Sequence, residues 1–375
     1  MSWKLGPEQL QDLARGAALM GTGGGGDPLI GRLLVEQAMR EHGPVTVLDP
    51  DEVDDDAFIV PTAQMGAPTV VVEKIPQGSE PENALHALEA ELGRTADATM
   101  PIECGGINSM VPLLVAARTG LPVVDADGMG RAFPELQMET FSVYGVPGSP
   151  MTVAGESQET VVINCGQDNR RMEWLARGIT IRLGGVAYIA EYSMTGRQMK
   201  DTAVPRTLSL ALSVGRAISK ARDENADPIE GVRAALAPTL YNKLRVLFHG
   251  KVIDVERRTV EGFARGRATF VDFSGEHRMQ VQFQNENLVA IVDGKVQCVV
   301  PDLICVLESD SGEPITTEGL RYGQRVTVVG ISTPEMMRTS AALNVFGPGN
   351  FGLSHIFEPV EELTERTRRA SSPSI

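Results

Sequence analysis

The chain has no run of about 18 consecutive apolar residues, so no segment reads as a transmembrane helix and no membrane partner is expected. Its opening, Met1-Ser-Trp-Lys-Leu-Gly-Pro7, lacks the basic-then-apolar pattern of an export signal, and a cytoplasmic location is expected. Cysteine is scarce: Cys104, Cys165, Cys298 and Cys305 are the only four, and their spacing fits neither a CxxC zinc knuckle nor a redox motif. They read as reduced, structural thiols. The five histidines (His42, His86, His249, His277, His355) are scattered, without an HxH or HExxH pattern. No cofactor is assigned and no metal ligands are named. A metal, if bound, would rest on carboxylates, which points to a hard divalent cation such as magnesium or manganese. Positive charge is also short. With 34 Lys and Arg against 49 Asp and Glu the net charge is −15, which excludes a nucleic-acid partner, because phosphate backbones are bound by clustered cations. The basic cluster Arg366-Thr-Arg-Arg369 reads as part of a solvated, frayed tail.

What is present is an α/β pattern over 375 residues, enough for two domains. Apolar spacing predicts amphipathic helices over Pro7–Met20 and Pro28–Arg40, the second with Leu29, Leu33, Val35 and Ala38 on its inner side. Short apolar runs at 45–48, 58–60, 70–72, 100–102 and 123–124 alternate with helical stretches at 80–92 and 107–119. That alternation predicts βαβ units: a mostly parallel sheet with flanking helices. Further strands are expected at 151–154 and 160–163, and helices at 170–183 and 205–222. A linker-like helical stretch covers 228–242, after which strands and hairpin turns such as Val292-Asp-Gly-Lys295 predict a second, mostly antiparallel β domain. The expected division is an α/β domain over 1–242, a β domain over 243–332, a segment over 333–363 returning to the first domain, and a tail over 364–375.

Three motifs can carry chemistry. The first is Gly21-Thr-Gly-Gly-Gly-Gly-Asp27, which joins the first two helices. Four consecutive glycines are entropically costly, and the amides of Gly23, Gly24, Gly25 and Gly26, with Asp27 capping the Pro28 helix, can cradle an anionic or carbonyl group. A tight turn between packed helices is the plainer reading. It is neither a P-loop, for want of Gly-Lys-Ser/Thr, nor a dinucleotide fingerprint, since no strand precedes it. The second, Glu103-Cys-Gly-Gly-Ile-Asn-Ser109, follows a strand at the carboxyl edge where ligands of parallel sheets bind. Glu103 is a candidate acid, base or metal ligand, and Asn108 a hydrogen-bond donor or simply a helix cap. The third, Asp125-Ala-Asp-Gly-Met-Gly-Arg-Ala-Phe-Pro-Glu135, places Asp125 and Asp127 on one face of extended chain, where they would share a proton or grip a cation, or only cap turns beside Arg131. Arg131 and Glu135 complete the set. Weaker signals are Met65-Gly66 after another strand, and Gln282-Phe-Gln-Asn-Glu-Asn287, a polar run inside a strand that is either a surface facing the cleft or a bulge.

These segments together, with Gly312-Glu-Pro-Ile-Thr-Thr317, resemble the S-methyl thiohydantoin desulfurase family over about residues 7–360. Near the end, Phe346-Gly-Pro-Gly-Asn-Phe-Gly-Leu-Ser354 departs from that family's Gly-Pro-Arg-Ala-Phe-Gly-type segment. The resemblance implies work on five-membered cyclic ureides: hydrolysis of an S-methyl thiohydantoin to the hydantoin and methanethiol, or chemistry on a related hydantoin. It also implies association with hydantoinase or oxoprolinase proteins, and the alternative that the chain is a non-catalytic ligand-binding or accessory subunit of such an ATP-dependent system. A small-molecule substrate and a homo-oligomer are expected. In the hydrolase reading Asp127 or Asp125 is the base, Glu135 or Glu103 the acid, the glycine-loop amides with Asn108 stabilise developing charge, and Arg131 pairs with a ring oxyanion or substrate carboxylate.

Overall fold

The computed structural model describes residues 1–66, 70, 76–260 and 263–371. Among these, strands β1 (Trp3–Leu5), β2 (Val45–Leu48), β3 (Phe58–Gly66), β4 (Ala98–Met100) and β5 (Val123–Val124) build one side of the first sheet. A short two-stranded ribbon pairs β6 (Ala126–Asp127) with a later strand, and β7 (Met151–Ala154), β8 (Thr160–Ile163), β9 (Val186–Ala190) and β10 (Met194–Thr195) complete the sheet. The order is β1-β2-β5-β4-β3-β9-β7-β8, with β10 also on β3; β2, β5, β4 and β3 run parallel and the outer strands antiparallel. Helices cover both faces, so β3, β4 and β5 are apolar and buried almost throughout, as parallel strands must be. Their carboxyl ends lie along one edge, which brings the tips after β3, β4 and β5 together.

The ribbon partner of β6 is β11 (Val204–Pro205), which leads into helix Thr207–Asp223. The second sheet holds β12 (Leu244–Val260), β13 (Phe263–Val271), β14 (Arg278–Gln284), β15 (Glu286–Val292), β16 (Lys295–Val299), β17 (Leu303–Glu308) and β18 (Arg325–Ile331), antiparallel throughout. One face joins the main core through Val289, Leu303, Val329 and Ile331. The other forms its own cluster from Phe248, Phe270, Val306 and Val328. The α/β first half and antiparallel second half therefore stand as the sequence predicts. The runs 245–248 and 251–256 are one long strand, interrupted in sequence by Gly250 and in register by bulges near Val246 and Val252.

Several local expectations are corrected. Val70 is helical, not the start of a strand, and the rest of that segment, with Glu73 and Lys74, lies outside the described residues. Leu29 and Leu33 are half exposed; helix Leu29–His42 buries Gly31, Val35, Ala38 and Met39 instead. After residue 333 the chain packs on the segment that follows β6, where Phe346 stacks on Phe133 at 4.8 Å. Helix Val360–Ser371 then packs on β12 and β16, with Val360 sealing the second cluster, so the expected tail is helical as far as Ser371.

Candidate active site

The glycine loop meets the tip after β4 and the start of β15. Gly25 O accepts from Ile107 N at 2.9 Å, and Gly25 N donates to Glu286 Oε1 at 3.2 Å. A Cβ on Gly24 would lie 2.1 Å from Glu286 Oε1, and one on Gly106, at φ +58, 2.1 Å from Gly25 O. The glycines are therefore required by close approach, which accounts for their entropic cost. The segment after β6 closes the third side, with Ala132 N on Met20 O at 3.3 Å. Between these walls is a cavity that leaves about 80 Å³ of room for the centre of a water-sized molecule. Gly25, Gly26 and Asp27 line it, with Met65 and Gly66 at the end of β3, Glu103 and Asn108, Glu135, and Glu286.

Two buried carboxyls face this cavity from different domains. Glu103 Oε1 accepts from Asn108 Nδ2 at 2.8 Å, while its Oε2 has no hydrogen-bond partner. Asn108 is itself locked, its Oδ1 accepting from Gln64 N at 2.7 Å and its Nδ2 donating to Gln64 O at 3.2 Å, so it orients Glu103. Burial pushes the Glu103 carboxyl well above the usual range, and the charge of Glu286 adds to that. Glu286 is pushed up to about 8 by burial, against the opposing pull of the Arg131 guanidinium and the Gly25 amide. Its Oε2 is also unpartnered. Two buried carboxyls on one cavity, both raised by burial and differing in the charges beside them, are candidates for acid–base chemistry.

Two family models match the chain in succession: the S-Me-THD-like N-terminal domain over residues 8–165 and the S-Me-THD-like C-terminal domain over 167–360. The chain belongs to the S-Me-THD-like family. It is also similar to the crystal structure of a protein from Chromobacterium violaceum, a structural-genomics target, at 27% identity and a TM-score of 0.82, covering 96% of this chain and 100% of that one. No curated protein matches it. The seam between the two family domains falls inside the first sheet, before β9, so the sheet is built from both.

Within this S-Me-THD-like chain the other expected site residues are placed differently. Asp125 does not face the cavity: its carboxylate accepts from Leu208 N (2.9 Å), Ser209 N (3.1 Å) and Ser209 Oγ (2.5 Å), capping helix Thr207–Asp223. Asp127 accepts from Cys104 N (2.7 Å), Met129 N (3.0 Å) and Gly130 N (2.6 Å), which fixes the turn carrying the third motif. Burial raises Asp127 to about 6 despite those amides. The two aspartates thus have separate partners and form no dyad, because the chain turns between them to pair β6 with β11. Arg131 is fully buried, with Nε on Ala132 O (3.0 Å), Nη1 on Asp302 O (3.1 Å) and Nη2 on Asn287 O (3.1 Å), so it joins the two domains and does not line the cavity. Desolvation lowers it to about 10.

Glu135 does line the cavity, and Gln137 Nε2 donates to its carboxylate. The loop amides are partly spent: Gly24 N donates to Gly21 O (2.9 Å) and Gly25 N to Glu286, while Gly23 O accepts from Thr317 N (2.7 Å). Gly23 and Gly24 thus shape the wall without lining it. Asp27 caps Leu29 N at 2.9 Å, as expected. The Cys104 thiol is buried and raised by desolvation and nearby carboxylates, the opposite of an activated nucleophile. Among the described residues no group of three or more His, Cys, Asp or Glu is arranged to hold a metal.

Sequence reasoning missed two residues. Glu286 was visible only as the acid within the polar run 282–287 of an otherwise apolar strand. Arg177, from helix Asn169–Arg182, lines the cavity while bonded to Glu173 Oε1 (2.7 Å) and Pro134 O (2.9 Å), and nothing in its local sequence marks it. Arg177 is thus the arginine on the cavity wall, where Arg131 is not. One stability consequence follows for Asp125: Asp125→Ala removes a helix cap and is expected to lower unfolding free energy by about 1–2 kcal/mol in a urea titration, with kcat unchanged.

Proposed function

We propose that the protein is a hydrolase of five-membered cyclic ureide-type rings, with an S-methyl thiohydantoin as substrate and Glu286 and Glu103 as base and acid. The observation that carries this reading is the pair of buried carboxyls, held by Gly25 and Asn108, on one cavity. Membership of the S-Me-THD-like family supports the substrate class.

Glu286 has the Arg131 charge and an amide favouring its ionised form, so it takes the proton from an attacking water. The oxygen bonds to the ring carbon bearing sulfur as its C=N bond opens, and Glu103 delivers its proton to that ring nitrogen. Collapse of the tetrahedral carbon breaks the C–S bond. Methanethiolate leaves and takes the proton held by Glu286, the hydroxyl proton on the same carbon passes to Glu103, and the ring carbon becomes a carbonyl. The sum is water plus S-methyl thiohydantoin giving hydantoin plus methanethiol. Arg177 at the wall can pair with the developing negative charge or with a substrate carboxylate.

The purified chain incubated with an S-methyl thiohydantoin is expected to release methanethiol, measured with a thiol reagent. Release only after addition of a hydantoinase-type partner would instead support the accessory role, and no release under either condition would overturn the hydrolase reading. The pH dependence is specific. Because the base works ionised and its carboxyl sits at about 8, kcat/KM is expected to rise with pH to about that value and fall again as Glu103 loses its proton. Glu103→Gln is expected to lower kcat about 100-fold and remove the falling limb.

A further inference from the structure

The turn from β14 to β15 is made by a single residue, Asn285, which lies on the cavity wall. Its backbone is left-handed, at φ +56, a conformation that glycine, asparagine and aspartate tolerate best. The neighbouring strand explains why a side chain is kept there. Asn285 N donates to Ala264 O at 2.8 Å and Asn285 Oδ1 accepts from Ala264 N at 2.8 Å, so the side chain continues the β13–β14 ladder where the backbone turns away. The backbone carbonyl freed by that turn accepts from Thr317 Oγ1 at 2.8 Å. A backbone N–H can be met only by the oxygen of an amide, which fixes the orientation of the whole group. Nδ2 is then the polar atom of Asn285 left without a hydrogen-bond partner among the described residues, on a residue only 8% exposed.

Aspartate would serve the turn and the ladder equally well. What asparagine adds is a donor, on a wall that carries the carboxyls of Asp27, Glu103, Glu135 and Glu286. The other side-chain amides on that wall are committed: Asn108 Nδ2 donates to Gln64 O and Glu103 Oε1, and Gln64 Nε2 to the Tyr188 hydroxyl at 2.9 Å. We propose that Asn285 Nδ2 donates to the ring carbonyl that the reaction leaves intact, and so sets which carbon of the ring is presented to Glu286. This rests on the cyclic ureide reading of the cavity. Donor and base are consecutive residues placed by one turn, so a ring held through its retained carbonyl offers the carbon bearing sulfur to the water. Asn285 binds and orients the ring and exchanges no proton with it.

The test compares hydantoin, the product, with imidazolidin-2-one, which lacks the retained carbonyl and keeps the one formed. In calorimetric titrations the wild-type chain is expected to bind hydantoin about 10-fold more tightly, the contribution of one hydrogen bond. Asn285→Asp keeps the acceptor for Ala264 N and is expected to bind the two rings within about 2-fold of each other. Its added charge weakens both rings alike, so only the lost donor removes the difference between them. Should that variant fail to fold, Asn285→Gly, which keeps the left-handed turn, gives the same comparison. A preference for hydantoin that survives substitution, or no preference in wild type, would overturn the proposal even with methanethiol release intact. A preference lost on substitution, in a chain that releases no methanethiol, would strike the hydrolase reading alone.

Discussion

Glu286→Gln is expected to lower kcat by about 1,000-fold while the protein stays folded, within the range that loss of a positioned general base produces. The amide keeps the Oε1 that accepts from Gly25 N, so the glycine loop retains its seat. It also removes a carboxyl whose ionisation is disfavoured by burial, so Tm at alkaline pH should equal or exceed that of wild type. That combination separates catalysis from scaffolding, since a merely structural Glu286 would lose stability and activity together. Steady-state assays with an S-methyl thiohydantoin, beside melting curves at two pH values, check it. Near wild-type kcat would remove Glu286 from the chemistry and leave Glu103 with Glu135 as the acids on the cavity.

Arg131→Met is expected to cost about 3–5 kcal/mol of unfolding free energy, the largest stability effect among the site residues. The guanidinium donates to carbonyls of Ala132, Asp302 and Asn287 and lies over the Phe133 ring at 4.9 Å, so methionine leaves buried acceptors on both domains unpaired. It also withdraws the positive charge that favours ionised Glu286. A urea midpoint lowered in proportion, with the rising limb of the pH profile moved to higher pH in the protein that remains folded, is the expected result. Unchanged stability with a raised KM would return Arg131 to the ligand-binding role that its sequence context first suggested.

The position of Glu103 at the sheet's carboxyl edge was legible before any coordinates, whereas the meeting of the glycine loop with it was an assumption. Glycine runs, strand ends and helix starts have local signatures, and a parallel sheet places the tips after β3, β4 and β5 at one edge whatever the side chains do. Roles within those motifs were less legible. Asp125 and Asp127 are two apart, and extended chain would have put them on one face, but pairing of β6 with β11 gave each its own set of backbone donors. A carboxylate that accepts several amide hydrogens is an anchor, and the positions of those amides, in one case more than 80 residues away, are not written beside it.

From its residues alone this chain determined an α/β half with parallel central strands, an antiparallel β half, the glycine loop between two helices, and Glu103 at the sheet edge. These follow from periodicity and turn chemistry, which act over a few residues. Only the tertiary structure decided that Glu286, 261 positions from Gly25, completes the cavity, that Arg131 is spent on carbonyls, and that the Asn285 amide keeps its nitrogen free on the cavity wall. Those outcomes depend on desolvation and on which distant donors arrive, and both are properties of packing between segments.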